Sequence, residues 1–579
     1  MRVVIVMIDA LQIQQFIFFS NKLKDIVGAS NIVKEVTDHW IEEILMEEMF
    51  HENPGAVVLD SGDEHTQRSI FHDPEVAVEV VFRGGGNAQL LFRDKQVAIN
   101  FKLKFEERTI LEAPGLQVAV AYYELNDKET LYHGFKAAQD CMSATKDSYI
   151  PLHDSTTMGI HEICSFSGQV ATQIDQSGEN DERQPISQEI FIKRNVARKP
   201  QKYLFDLQEK IRDLQNAYHL NDYELEMPLE FDQLGRSKGE NSYIGIVHMD
   251  GNGIGKRFIN ATKPFGEMIG EQEVSSRTGY VNKLRITSQQ STKINFQAVS
   301  SILESIISNI RYDKEENGLK IADLFLLKRD ENHVNKYYLP IRMIVYGGDD
   351  ITFVADGRLA LELAAIGVKA FEKTLEDGEH ISAAAGIALI KSRAPFYEGY
   401  EWAETLCTHT KQMIKDERFK EQNQFQWTPS AMDWVIAEEN ASEWLDQRPK
   451  GLSMKPYLLS KHPNHDSPVD TVGNWAWLRD RVLAKARATI QDVGDGVDDN
   501  LERSRKSKFR HMVTTMYKGE EFVKEEFDRW KDLRIDFPFE WLRNLTNAYV
   551  YEGIEKATPF IDAMEIFDFM PKTSLEGEA

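Results

Sequence analysis

The stretch IRMIVYGGDDITFVADG, residues 341–357, sets two glycines and two adjacent aspartates between two short runs of β-branched and aromatic residues. The runs read as the two strands of a β-hairpin and Gly-Gly-Asp-Asp as its tip. Carboxylates side by side raise each other's pKa unless something positive stands between them. A hard divalent cation resolves the crowding, because it takes oxygen ligands and tolerates clustered acids. Asp and Gly are also ordinary turn residues, so the stretch alone reads as a plain acidic turn too. The choice depends on what else the chain brings to the same place.

Outward from the hairpin, SYIGIVHMDGNGIG (242–255) reads as a strand running into a Gly-rich turn, and a helical pattern follows around 291–310. After the hairpin come a helix over 358–375, a strand over 381–390 and a helix around 397–416. The order is β-α-β-β-α-β, a ferredoxin-like arrangement. The first half repeats it. RVVIVMIDA (2–10) is a strand ending in Asp9, and a long helical stretch begins at QQFIFF. Then come the hairpin VEVVFRGGGNAQLLF (78–92), a helix over about 94–111, a strand over 115–125 and a helix over 131–147. Both units place a Gly-Gly tip on the central hairpin, which marks a tandem repeat. The first tip offers Gly86 and Asn87 where the second has Asp349 and Asp350, so the second unit is the one equipped to hold a cation.

In this sheet order the first strand lies beside the hairpin, so Asp250 is expected next to Asp349 and Asp350. Three converging carboxylates are what two-metal phosphoryl transfer requires. Gly251, Gly253 and Gly255, with Gly347 and Gly348 at the tip, leave the backbone bare where phosphates approach, and Lys256 and Arg257 follow as phosphate partners. A lone DGNGIG is a weak signal. Paired with an acidic hairpin about a hundred residues on, inside one unit, it becomes specific.

The chain has 579 residues, 42% hydrophobic and 28% charged, which is room for about three or four domains. Its net charge of −25 disfavours a bare, sequence-independent nucleic-acid binder. Cys141, Cys164 and Cys407 are widely spaced, which argues against a disulfide framework and against a complete zinc site. No signal peptide or membrane span is expected, and a reducing, cytoplasmic setting follows.

Taken together, the first-strand Asp and the Gly-Gly-Asp-Asp hairpin resemble the palm domain of nucleotidyl and diguanylate cyclases. Two palms in tandem, the first degenerate, resemble the large polymerase-like subunit of type III CRISPR effectors, the Cas-ten/Cmr-two family. IDALQIQQFIFFSNKLKDIVGAS (8–30) is similar to its opening strand and helix, and ISAAAGIALIKSRAPFYEGYEWAETLCTHTKQ (381–412) to the end of its second palm. Lys411 matches its phosphate-side lysine. LSMKPYLL (452–459), RSRKSKFRHM (503–512) and FIDAMEIFDF (560–569) resemble landmarks of its C-terminal helical domain.

The resemblance implies an α+β chain in four parts. These are a degenerate first palm (1–150), an intervening remnant of a zinc ribbon (151–238), a catalytic second palm (239–427) and a helical domain (428–579). It implies an enzyme using Mg2+ or Mn2+, held by Asp250, Asp349 and Asp350, that joins ATP into cyclic oligoadenylates by attack of a ribose 3′-hydroxyl on an α-phosphate. Lys256, Arg257 and Lys411 would bind the triphosphate. Implied partners are ATP and other type III effector subunits with guide and target RNA.

The departures are specific. His72–Asp73 and His153–Asp154 lack the flanking ligands of an HD nuclease, so a short form without DNA cleavage is expected. His161 and Cys164 make at most half a zinc site, with Ser167 where a second cysteine would stand, so zinc is not expected. Asn252 stands where the family often has a second acid. Asp9 reads as a relic ligand or a helix cap, DVGDGVDDN (492–500) as a solvated loop, and the aromatic run 527–551 as helical core. A nucleotide-binding scaffold with little turnover is the alternative function, and a GTP-using cyclase the third.

Overall fold

The computed structural model describes residues 2–576 apart from 61–67, 127–128, 150–158, 176–182, 199–204, 236–242, 267–272, 323, 376–377, 423–424, 438–451, 463–470, 492–498, 533–548, 552–553 and 573. The pair His153–Asp154, residues 492–498 of the acidic loop and 533–548 of the aromatic run lie outside the described residues.

Strands β1 (Val3–Leu11), β2 (Val78–Gly84), β3 (Asn87–Phe92) and β4 (Gln117–Leu125) form one sheet in the order β2-β3-β1-β4, edged by Val57–Val58. Strands β5 (Tyr243–Gly251), β6 (Ile341–Gly347), β7 (Asp350–Asp356) and β8 (Ala383–Lys391) repeat that order as β6-β7-β5-β8. Both halves therefore have the ferredoxin-like topology. The second sheet continues through β9 (Ala431–Ile436), parallel to β8, and β10 (Tyr457–Leu458), so it runs on past residue 427.

The helices depart from the sequence reading in instructive ways. The long first stretch breaks into α1 (Ile13–Phe18) and α2 (Leu23–Thr37) before further turns. Helices α3 (Lys95–Glu112) and α4 (Leu131–Asp147) lie where the periodicity put them. In the second half α5 (Ile254–Gly266) is followed by α6 (Glu273–Ile307), which begins well before the apolar pattern at 291. Its first turns are polar because they serve the other palm: Arg277 donates to the Glu129 carbonyl, and Arg285 pairs with Glu79 and donates to the Val80 carbonyl. Helix α7 (Ala360–Phe371) stops short of 375, because Lys373–Thr374 pairs with His380–Ile381 instead. Three short strands at Ile310–Asp313, Gly318–Ile321 and Phe325–Leu326 intervene before β6 and have no clear sequence period. Helix α8 (Phe396–Lys415) returns the chain from β8 to β9.

Each half lends one helix to the other's sheet, α2 from the first and α6 from the second. Val4, Val6 and Ile8 on one face of the first sheet share a core with Leu23, Ile26 and Val27 of α2, and that core continues onto Ile244, Ile246, Ile344 and Val354 of the second sheet. Reciprocally, Val3, Ile5 and Val81 on the other face of the first sheet pack with Tyr280, Val281 and Leu284 of α6. Each sheet is thus covered on both faces, on the second face jointly by its own last helix, α4 (Leu131, Phe135) or α8 (Tyr400, Leu406), and by a helix of the other half, which is why β1 and β5 read as nearly unbroken apolar runs.

The helical C-terminal region (Ala484–Gln491, Asp499–Met516, Glu520–Asp532, Pro559–Glu565) shares its core with the second palm through Trp434, Trp475, Trp530 and Phe560. Fully buried Asp562 accepts from Ser453 Oγ, the Met454 amide and Tyr457 OH, tying the 452–459 segment to the 560–569 segment. Burial pushes its carboxyl up to about 6. Among the described residues no helix is long and apolar enough to cross a membrane.

Candidate metal and nucleotide site

Strands β5 and β7 pair antiparallel with Asp250 directly opposite Asp350, and β6 pairs with β7 with Gly347 opposite Asp350. The tip turns through Gly348, whose φ of +63° favours glycine. The Gly251 amide donates to the Asp349 carbonyl at 3.1 Å, which locks the Gly-rich turn to the hairpin. Oxygens of Asp250, Asp349 and Asp350 lie within 4.8 Å of one another, the one such acidic, His or Cys group found among the described residues.

Electrostatics fit the cluster to a cation. Burial, then the charges of Asp250 and Asp349, push the Asp350 carboxyl up to about 8. Burial and Asp250 also push Asp349 up. A pure oxygen donor set that crowds itself out of ionisation suits Mg2+ or Mn2+, which would restore the carboxylates. Lys411 holds part of that place: its ammonium pairs with Asp250 and donates to the Gly251 carbonyl at 2.9 Å. Beneath the acids, His248 Nδ1 lies 3.0 Å from Thr352 Oγ1, and burial lowers its pKa to about 4, leaving a neutral imidazole. Asn295 of α6 donates to the Asp350 carbonyl at 3.0 Å and fixes the tip from below.

The glycines Gly251, Gly253, Gly255, Gly347 and Gly348 all sit on this rim, and Lys256 is exposed in the first turn of α5. Arg257 is a correction to the sequence reading. Its side chain is buried, with Nε 3.1 Å from Glu379 and a further bond to Gln290, so it is not presented to phosphates. Successive helical residues point about 100° apart, and the start of α5 decides that Lys256 faces out and Arg257 in. Asn252 also turns from the acids: its amide donates to Ser382 Oγ at 2.9 Å and to the Pro429 carbonyl at 3.5 Å.

Two features escaped the sequence reading. Asp9 is paired with Lys146 rather than capping a helix, and Lys146 is the sixteenth residue of α4 just as Lys411 is of α8. That matched position was the available signal. Gln14 of α1 also reaches across to Glu404 of α8, and nothing in local sequence points to it.

In the intervening region, Cys164 is buried beside Phe166, Ile186 and Ile190. Burial pushes its thiol up, but the Ser167 hydroxyl and the amides of Ser187, Phe166 and Ser167 outweigh this and hold it below the usual range. His161 is exposed. Asp73 of the His72–Asp73 pair is bound by Arg68 at 2.8 Å.

A first-strand acid, an acidic hairpin tip and a ferredoxin-like sheet define a palm domain of the nucleotidyl-cyclase kind. Residues 243–419 match the family model described as Cas10/Cmr2, second palm domain, and this chain carries that domain. Solved structures similar over 98% of this chain include the Csm1–Csm4 cassette in complex with cA4, at 13% identity, 70% coverage of that chain and a TM-score of 0.48. The cassette in complex with one ATP stands at 13%, 70% and 0.48, also over 98% of this chain. Csm1 of T. onnurineus stands at 12%, 69% and 0.46, again over 98% of this chain. No curated protein matches.

Proposed function

We propose that this chain is a metal-dependent nucleotidyltransferase that converts ATP into cyclic oligoadenylate-type messengers, working with other subunits of a type III CRISPR effector and its RNA. The observation that carries the reading is the convergence of Asp250, Asp349 and Asp350 within 4.8 Å at the rim of a Gly-rich turn, in a segment matching the Cas10/Cmr2 second palm. Asp250, Asp349 and Asp350 would hold Mg2+ or Mn2+. When bound, such a cation eases deprotonation of a ribose 3′-hydroxyl and neutralises charge on the leaving pyrophosphate.

The chain's own groups do the rest. The bare amides at the start of α5 and exposed Lys256 receive triphosphate oxygens. Lys411, which pairs with Asp250 and donates to the Gly251 carbonyl, stands where it would also meet the phosphates. The 3′-oxygen bonds to the α-phosphorus of the next ATP as its bond to pyrophosphate breaks, and the hydroxyl proton leaves to solvent. Clustered acids that disfavour their own ionisation weigh against the scaffold alternative, since a scaffold has no use for them.

The test is incubation of purified protein with Mg2+ or Mn2+ and each labelled nucleoside triphosphate, beside an Asp349→Ala/Asp350→Ala variant, with chromatography and mass spectrometry. A ladder of cyclic adenylates absent from the variant supports the reading. Metal-dependent ATP binding without product in the presence of the effector's RNA moves the weight to the scaffold.

A further inference from the structure

The acids and Lys411 account for phosphates, yet nothing so far holds the sugar. Helix α8 points to the groups that do. Glu404 precedes Lys411 by seven residues, which in an α-helix is about 10 Å and nearly two full turns. Both side chains therefore lie on one flank, with Lys411 against Asp250 and Glu404 further along. Side chains leaning together from two such positions can meet the α-phosphate and the ribose of one nucleotide.

The partner of Glu404 comes from the other palm. Gln14 Nε2 donates to Glu404 Oε1 at 2.5 Å, and the pair is open to solvent. It is rigidly placed: Phe18, one turn on in α1, stacks on Tyr400, one turn back in α8, with ring centroids 3.7 Å apart. Gln12, just before α1, takes a left-handed φ of 50° that aims the helix at α8. Burial pushes the Glu404 carboxyl up, and among the smaller influences the charge of Asp250 adds to it, which places the pair within the electrostatic reach of the acids. The matched places in the other half are Gly255 and Gln139, so neither the amide nor the acid recurs there.

We propose that Glu404 and Gln14 form a ribose clamp, one residue from each palm, that accepts hydrogen bonds from the sugar hydroxyls and selects ribonucleotides over 2′-deoxyribonucleotides. An acceptor pair of carboxylate and amide oxygens is suited to hydroxyl donors, and a 2′-hydroxyl is the donor that a deoxyribose lacks. A site built to bond a hydroxyl rejects the analogue without it, because its polar groups are left unpaired. The clamp rests on the catalytic reading above and adds the residues that hold the sugar.

The experiment measures equilibrium binding of ATP and 2′-deoxy-ATP with Mg2+ to the full chain and to Glu404→Gln, Gln14→Ala and Asp349→Ala/Asp350→Ala, with thermal melting as a fold control. The expected preference of the unaltered chain for ATP is about tenfold, the scale of one hydrogen bond to a charged group. In Glu404→Gln that ratio falls toward one through weaker ATP binding, with 2′-deoxy-ATP little changed. A ratio near one in the unaltered chain, an unchanged ratio in both clamp variants, or equal weakening of both nucleotides overturns the clamp alone. Nucleotide binding that is absent, or that survives loss of Asp349 and Asp350, overturns the catalytic reading and the clamp with it.

Discussion

The two palms share a scaffold and diverge at one turn. Asp9 stands in β1 where Asp250 stands in β5, each opposite the first residue of the third strand, Asn87 or Asp350. Lys146 and Lys411 close the same ion pair from the same helical position. Gln12 and Gly253 fall three residues after the acid and both have positive φ, 50° and 77°. The hairpin tips differ. Gly86 takes the place of Asp349 at a φ of +86°, and a Cβ there would stand 2.3 Å from Ile13 Cδ1. The first palm has therefore lost more than two charges: its turn has closed over the space in which a carboxylate would sit. The Asp–Lys pair stands in both halves and, among the described residues, the acid cluster only in the second, so the pair belongs to the shared fold and the cluster to the second palm alone.

That contrast can be broken most severely at the acids. Asp349→Ala/Asp350→Ala should lower nucleotide turnover by about 10²–10³-fold or more, and adding Gly86→Asp and Asn87→Asp should restore none of it. Product ladders on both proteins check this. At the lysines the outcomes should part: Lys411→Ala should cost about tenfold or more in turnover, whereas Lys146→Ala should leave the rate nearly unchanged, as initial-rate assays would show.

The pH response sharpens the comparison further. Asp350 is held protonated well above the value of an unfolded aspartate. The native state then binds the extra proton, so stability is full at low pH and falls as pH climbs from about 4 toward 8. Asp350→Asn should remove this fall, raising the melting temperature more at pH 8 than at pH 5. Smaller effects lie at the first turn. Gly86→Asp should destabilise by about 1–3 kcal/mol through overpacking on Ile13, measured by urea unfolding. Gln12→Gly should stabilise by no more than about 1 kcal/mol, since it relieves a left-handed residue but loosens the unfolded chain.

What was legible in the sequence is what local rules control. The hairpins, their Gly-Gly tips and the strand beside them follow from period-two patterning and turn chemistry, and the Asp250–Asp350 register follows from the topology those imply. Arg257 was misplaced because one residue of helical phase, set by where α5 begins, exchanges an exposed cation for a buried one. The start of α6 was missed because its burial is against the other palm, through Arg277 and Arg285 and only a short apolar group of Tyr280, Val281 and Leu284. Glu404 and Gln14 are 390 residues apart, so only the docking of the two halves brings them together.

The crossing of α2 and α6 between the halves has a consequence for taking the chain apart. A fragment spanning the matched residues 243–419 would contain every acid of the cluster and keep α8 over part of its sheet, yet it would uncover the part of that face, around Ile344, that packs with α2 of the first half. An apolar face of that kind seeks a replacement and aggregates when it finds none. The acid-bearing half is thus not a detachable module: its boundary in sequence and its boundary in solvent are different surfaces, and the first palm acts as its solubiliser as much as its twin.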